Sequence, residues 1–259
     1  MKPYSGIALS LLSLSAFLLC EGNAQGSAGA SSKLEPRFII DMPTAGMLGG
    51  GGLALDVDMY QSGGVLLGVS VGIFDRVSLG VSYGGTQLIG TGTPEMNAVP
   101  GFNVRVRLIE ENIGLPAIVI GFDNQGRDGY VKSLSRYVIK SPGFYAVASK
   151  NYLLLGYLSL HGGVNYSLER SDSNKDISLF VGFEKTLGPA VSALLEYNLA
   201  TNDRKENALG KGRGYLNTGL RWSLGSGVTI GATLKDLTMN GRTDSARNRT
   251  VTLEYVSSL

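Results

Sequence analysis

The sequence predicts an all-β protein: a transmembrane, antiparallel, up-and-down β-barrel of about twelve strands, with roughly ten to fourteen as the range. Three observations carry this expectation. Segments of about ten residues alternate apolar with small or polar side chains, short connections alternate with long ones, and charge keeps to one face of the segments.

The clearest segment pair runs from Gly64 to Thr86. Leu67, Val69, Val71 and Ile73 alternate with Gly68, Ser70 and Gly72; after Phe74-Asp75-Arg76, Val77, Leu79, Val81 and Tyr83 alternate with Ser78, Gly80 and Ser82. Such a pair has one greasy and one small polar face, and each strand is long enough to cross a bilayer when tilted.

Before it, Leu53 to Tyr60 sets Leu53, Leu55, Val57 and Met59 against Ala54, Asp56 and Asp58. The run Gly49 to Gly52 precedes this strand, whereas a phosphate-cradling loop would follow a strand and open a helix, so it is read as a flexible approach. Phe38 to Met42, ahead of Pro43, fits either a short strand or a plug-like segment.

Downstream, Phe102 to Ile109 opposes Val104, Val106 and Leu108 to Asn103, Arg105 and Arg107. Leu115 to Asp123 follows a short turn, and the longest loop, Asn124 to Pro142, comes next. The remaining strands are expected at Gly143 to Asn151, Leu154 to Leu168, Ile177 to Lys185, Ala190 to Ala200, Tyr215 to Ser223, Val228 to Lys235 and Thr250 to Tyr255. With Leu53 running outward, the short turns at Phe74, Glu110, Asn151, Leu187 and Leu224 all fall on one side, the periplasmic side of an outer-membrane barrel.

Composition agrees. Charged residues make up 17% of 259 residues, and no apolar run after the first twenty residues is long enough for a spanning helix. The 37 glycines suit a lumen of small side chains and the 12 tyrosines suit bilayer interfaces. A net charge of +2, evenly spread, argues against a nucleic-acid partner.

Met1 to Ala24 reads as a cleaved secretory signal, with Lys2, an apolar core from Ile7 to Leu19, and Gly22-Asn23-Ala24 at the cut. Lipidation at Cys20 is the lesser reading, because Leu19 precedes it. The expected organisation is therefore a signal peptide at 1–24, a periplasmic lead-in at 25–50 and the barrel at 51–259. Such a chain is exported to the bacterial outer membrane, with membrane lipid as its first partner.

The face test defines the candidate site. Leu55, Val69, Val81, Val106, Ile120, Leu160, Val181, Leu195, Leu220, Ile230 and Leu253 form an uncharged set. The opposite set holds Asp56, Asp58, Arg105, Arg107, Lys150, Glu184, Glu196, Arg221, Lys235 and Glu254, read as a charge network lining a narrow lumen, in which Arg105 and Arg107 face Asp56 and Asp58. A soluble sandwich would instead make the charged face the solvated one.

Catalytic readings are weak. His161, the single histidine, has Ser159, Ser167 and Asn165 nearby, but lacks the His-x-Ser-Asn-Gly pattern of outer-membrane phospholipases and is read as a lumen hydrogen-bonding residue. Asn202 to Asn207 lacks the ligand spacing of a calcium loop. No enzyme, cofactor or metal is expected.

Several stretches together resemble the YjbH-like outer-membrane proteins. They are Ile40-Asp41-Met42-Pro43-Thr44-Ala45-Gly46, Val99-Pro100-Gly101, Gly114 to Asp123 with Gln125-Gly126, and Gly143 to Asn151. The resemblance implies a barrel that is an accessory in exopolysaccharide production or export, with polysaccharide or periplasmic export proteins as partners. A passive, porin-like channel for small solutes is the alternative.

Overall fold

The computed structural model describes residues 26–242 and 248–258, so the expected signal peptide lies outside the described residues. Fifteen strands follow in order: β1 (Gly52–Tyr60), β2 (Gly64–Ile73), β3 (Val77–Thr86), β4 (Glu95–Met96), β5 (Gly101–Ile109), β6 (Ala117–Asp123), β7 (Arg127–Val131), β8 (Arg136–Ile139), β9 (Gly143–Leu153), β10 (Tyr157–Tyr166), β11 (Ser178–Thr186), β12 (Val191–Asn198), β13 (Tyr215–Gly225), β14 (Val228–Leu234) and β15 (Arg249–Ser258).

Twelve of them form one antiparallel sheet in which each strand pairs with the next along the chain, and β15 returns to β1, closing the barrel. The two-residue β4 pairs with β3, while β7 and β8 form a separate hairpin inside the longest loop. That hairpin is an element within the long loop that the sequence pattern does not mark. Its cause is tertiary: Arg136 is fully buried and draws the loop onto its neighbours.

Period-two alternation positions the walls. Leu67, Val69, Val81, Val181, Leu195 and Leu253 all point outward and stay exposed in the isolated chain, while Ser70, Ser78, Glu184, Ser192 and Thr229 are buried inside. Strands of ten residues tilted in a barrel make an apolar belt about 25 Å tall, matched to a bilayer core. Bulky apolar residues also crown the short turns: Phe74, Ile113 and Leu155 are almost fully exposed.

The turn after β9 differs from expectation. The sequence suggests a strand starting at Leu154, yet Leu154 to Gly156 makes the turn, with Leu155 and Gly156 both at positive φ. An apolar turn at a membrane rim carries no polar punctuation, so its leucines read as strand. At the β13–β14 turn, Ser226 and Gly227 (φ 50° and 82°) supply the left-handed pair of a two-residue hairpin turn.

Candidate functional site: the occupied lumen

The segment expected to be a periplasmic lead-in at 25–50 instead enters the barrel. Ala28, Arg37, Ile39 and every residue from Asp41 to Leu48 are buried. Residues 26–31 first line the lower wall: the Ser27, Ala28 and Gly29 amides donate to Thr229, Ser223 and Ser192 hydroxyls. Ala30 and Ser31 amides then donate to the carbonyls of Gly188 and Pro189 in the β11–β12 turn.

From Pro36 to Met47 the chain folds into a hairpin. Phe38 and Pro43 form an antiparallel bridge, the Ile39 amide donates to the Met42 carbonyl, and the Thr44 amide donates to the Arg37 carbonyl. Both ends of this hairpin lie at the rim of the short turns, and its apex, Ile40 to Met42, points toward the rim of the long loops. Of the two readings of Phe38 to Met42, the plug-like one describes this hairpin.

Two kinds of contact hold the plug. On one side Ile39, Met42, Ala45 and Met47 pack with Ala117 and Val119 of β6, Tyr145 and Val147 of β9, and Phe180 of β11 into a dry core inside the barrel. A Cβ at Gly182 would sit 2.4 Å from Ile39, so glycine there makes room for the hairpin. At the apex, one carboxylate oxygen of the fully buried Glu196 accepts three successive amides, those of Ile40, Asp41 and Met42, at 2.8 to 2.9 Å. Its other oxygen accepts the Asn217 amide at 2.9 Å. Three adjacent N–H groups converging on one anion form a nest, in which the charge strengthens each hydrogen bond.

Charge pairing then differs from the sequence expectation. Asp56 and Asp58 do not face Arg105 and Arg107; Asp56 pairs with Arg37 of the hairpin at 2.6 Å, and Asp58 with Arg127 of the β7–β8 loop at 2.9 Å. Arg105 donates to the carbonyls of Arg37, Thr44 and Gly46, and Arg107 pairs with Glu35. Glu254 lies 3.8 Å from Arg37, and Lys235 pairs with Asp41 at 2.7 Å and Asp128 at 3.5 Å. Among these wall charges only Arg221 and Glu184, at 3.2 Å, neutralise each other; Arg221 also donates to the Phe38 and Ile39 carbonyls. The physical reason is reach: the hairpin fills the space between opposite walls and brings its own counter-charges, while the guanidinium groups of Arg105 and Arg127 lie against the Phe38 ring.

Lys150 is a second correction. It shares the outward parity of Phe144, at the short-turn rim, and its ammonium folds onto the Asn112, Ile113 and Leu115 carbonyls and Glu111 rather than into the lumen. Lys185 does the same on the carbonyls of Leu154 and Leu155. A lysine on the lipid face can stay only where its head reaches the rim.

His161 belongs to the plug's seat. Its Nδ1 is 2.8 Å from Ser149 Oγ, and that oxygen also accepts the Ala45 amide, also at 2.8 Å. No carboxylate reaches the ring and no cluster of metal-ligating side chains exists among the described residues.

Above the plug, the long loops close over the barrel. Arg136, wholly buried, binds Asp172 at 2.7 Å and Asp203 at 2.5 Å, so one guanidinium ties together three loops; Lys140 adds a contact to Asp172 at 2.8 Å. Spaces beside the hairpin include a crevice of about 90 Å³ against the polar wall of Asp56, Asp58, Ser70, Asn103 and Glu254, one of about 40 Å³ by Asp41 and Lys235 and one of about 70 Å³ by Ala45, Ser149 and His161, with a wider recess of about 310 Å³ by Met47 and Arg107 at the short-turn mouth.

No family model and no curated protein matches this chain. Among solved structures, it is similar to the KdgM porin at 10% identity, over 80% of this chain and 99% of that one, with a TM-score of 0.49. The KdgM porin in complex with disordered oligogalacturonate gives 14% identity, 80% and 99% coverage and a TM-score of 0.47. The Acinetobacter baumannii outer membrane protein Omp33 gives 7%, 80%, 97% and 0.46. What the residues themselves establish is a closed twelve-stranded transmembrane β-barrel whose lumen is filled by its own N-terminal hairpin.

Proposed function

We propose that this chain is a non-enzymatic outer-membrane channel of the porin kind, shut at rest by its N-terminal hairpin and permeable to small solutes when the hairpin withdraws toward the periplasm. The observation that carries the reading is the way the plug is mounted. It is one continuous hairpin with both ends on the same rim, joined to β1 through its own chain and otherwise held to the wall by hydrogen bonds, ion pairs and a small apolar patch. A segment so mounted can leave without dismantling the barrel, whose ladders do not include it.

Withdrawal would take Arg37 away from Asp56 and Glu254 and leave a wall in which Asp56, Asp58, Asp123, Glu184, Glu196 and Glu254 outnumber Arg105, Arg107, Arg127, Arg221 and Lys235. The open pore is therefore expected to prefer cations mildly. The test is conductance in planar bilayers of the whole protein beside a variant lacking residues 36–47. The intact protein should be silent with rare openings, and the deletion should conduct steadily; a deletion that folds, judged by unboiled gel mobility, and stays silent would overturn the proposal. The export role implied by the YjbH-like resemblance rests on the short motifs, and two of these have structural work: Ile40 to Gly46 is the plug, and Gly143 to Asn151 supplies part of its seat.

A further inference from the structure

The two rims of the barrel differ in how many cations they leave unpaired. On the short-turn side the exposed Arg76 lies 3.3 Å from Glu110, and the half-buried Lys150 and Arg107 pair with Glu111 and Glu35, which leaves Lys33 as an exposed cation with no ion pair among the described residues. On the long-loop side Arg204, Lys205, Lys211, Arg213, Arg242 and Arg249 are all exposed, and among the described residues only Lys205 has an ion pair, with Asp176 at 3.5 Å. Glu206 is the other exposed acid of this region.

These cations are held together. The loops between β12 and β13 and after β14 are joined by a Gly210–Gly241 bridge, by the Lys211 amide on the Asn240 carbonyl and by the Arg242 amide on the Leu209 carbonyl. Asn240, fully buried, accepts the Lys211 and Arg213 amides through its side chain, and Asp236 holds the Asn240 and Gly241 amides. A Cβ on Gly212 would lie 3.4 Å from that of Arg204, which puts Arg204 beside Lys211 and Arg213. The platform is built of fixed backbone, so its mutual repulsion is not relieved by loops drifting apart.

The surface next to it is apolar. Leu234, Leu237 and Met239 are exposed, Lys211 Nζ lies 3.4 Å from the Met239 carbonyl, and Arg213 reaches the Thr238 carbonyl at 3.5 Å. Arg249 opens β15 opposite Leu234, one residue from the inward-facing Thr250 and so on the outward side of the wall.

We propose that this arc is a binding surface for the phosphorylated headgroup of an outer-leaflet glycolipid, acyl chains against Leu234, Leu237 and Met239 and phosphate among Arg204, Lys211, Arg213 and Arg249. Clustered cations above an apolar rim fit a ligand that has anionic groups directly above its hydrocarbon, and each cation near such a surface adds to the attraction. That these loops face outward rests on the outer-membrane orientation proposed above, yet binding is read in detergent, so its failure would leave the conductance result standing.

The experiment titrates the detergent-solubilised full chain with bis-phosphorylated lipid A, with the same lipid stripped of phosphate, and with inorganic phosphate as competitor, using native mass spectrometry. The intact protein should bind the phosphorylated lipid, more weakly as salt rises. Arg204→Gln, Lys211→Gln, Arg213→Gln and Arg249→Gln should each weaken binding about five-fold, with unchanged unboiled gel mobility; Lys33→Gln with Arg76→Gln on the other rim should bind as the parent does. Equal binding of the stripped lipid, full displacement by millimolar inorganic phosphate, or undiminished binding by a variant that combines all four substitutions would each overturn the proposal.

Discussion

Glu196→Ala tests the mounting of the plug. The parent carboxylate is fully buried and takes three backbone amides and one side-chain amide. Removing it leaves the three hairpin N–H groups without an acceptor, at roughly 1–3 kcal/mol for each buried donor left unmade. Water entering the space left by the side chain returns part of that, so about 3 kcal/mol is a fair net loss of plug attachment. At 1.4 kcal/mol per factor of ten, the withdrawn population should rise on the order of 100-fold. Hydrogen exchange followed by mass spectrometry reads this directly: amides of residues 40–42 should exchange on the order of 100-fold faster, while those of β12 and β13 keep their protection. Glu196→Gln should fall between, because its amide nitrogen must face either the three N–H groups or the Asn217 amide. If the hairpin of the alanine variant exchanges at the parent rate, or the parent hairpin already exchanges as a free peptide does, the reasoning is refuted.

Other outcomes follow from the same contacts. Lys235 and Asp41 are both buried at 2.7 Å, with Asp128 at 3.5 Å as the second partner of the ammonium, so Asp41→Asn alone should cost about 1–3 kcal/mol. Asp41→Asn with Lys235→Met should cost less than the sum of the two single changes, as read from urea unfolding of the liposome-inserted protein; strictly additive losses would contradict a shared pair. In the loop lid, burial pushes the Glu169 carboxyl up to about 7 from an ordinary 4.5, only partly offset by the Ser141 and Tyr137 amides it accepts and by Arg136 and Lys140. A raised carboxyl favours the closed lid when protonated, so closure is firmest below pH 4.5 and weakens as pH rises through 7. Proteolysis of loop 124–142 should accordingly quicken from pH 5 to pH 8 and lose that dependence in Glu169→Gln; an equal pH profile in both would contradict it. Finally, Leu195→Arg places a cation mid-strand on the lipid face and should destabilise the inserted barrel by about 2–4 kcal/mol, whereas a neutral result would mean that this face does not meet hydrocarbon.

The barrel was legible because its signal is local. In β2, β3 and β12 each residue's neighbours two places away decide its face, and the outward Val69, Val81 and Leu195 could be read without knowing what the strand pairs with. The plug was legible only as one of two readings of Phe38 to Met42, and its extent and contacts were not, for the opposite reason. Residues 36–47 have no period, and their partners are remote: Ile40 and Glu196 are 156 residues apart. One sign was available in the strands themselves. Val119, Val147 and Phe180 are bulky apolar residues at inward positions, where a wet lumen has no use for them, and together they ask for a dry partner inside. Lys150 was misplaced because it was assigned by charge, whereas counting from Tyr145, Val147 and Ser149 puts it outward. The pairing of Asp56 and Asp58 failed likewise, since their cations come from the plug and a loop that the strand pattern does not describe.

A disulfide formed in intact outer membranes tests most directly whether the hairpin occupies the barrel. The Ala45 amide and Ser149 Oγ are 2.8 Å apart, so Ala45→Cys with Ser149→Cys should oxidise to a crosslink nearly completely, with both thiols shielded from a membrane-impermeant maleimide beforehand. Two thiols that stay unlinked under oxidant and react freely with the maleimide would place the hairpin outside the lumen and contradict the account.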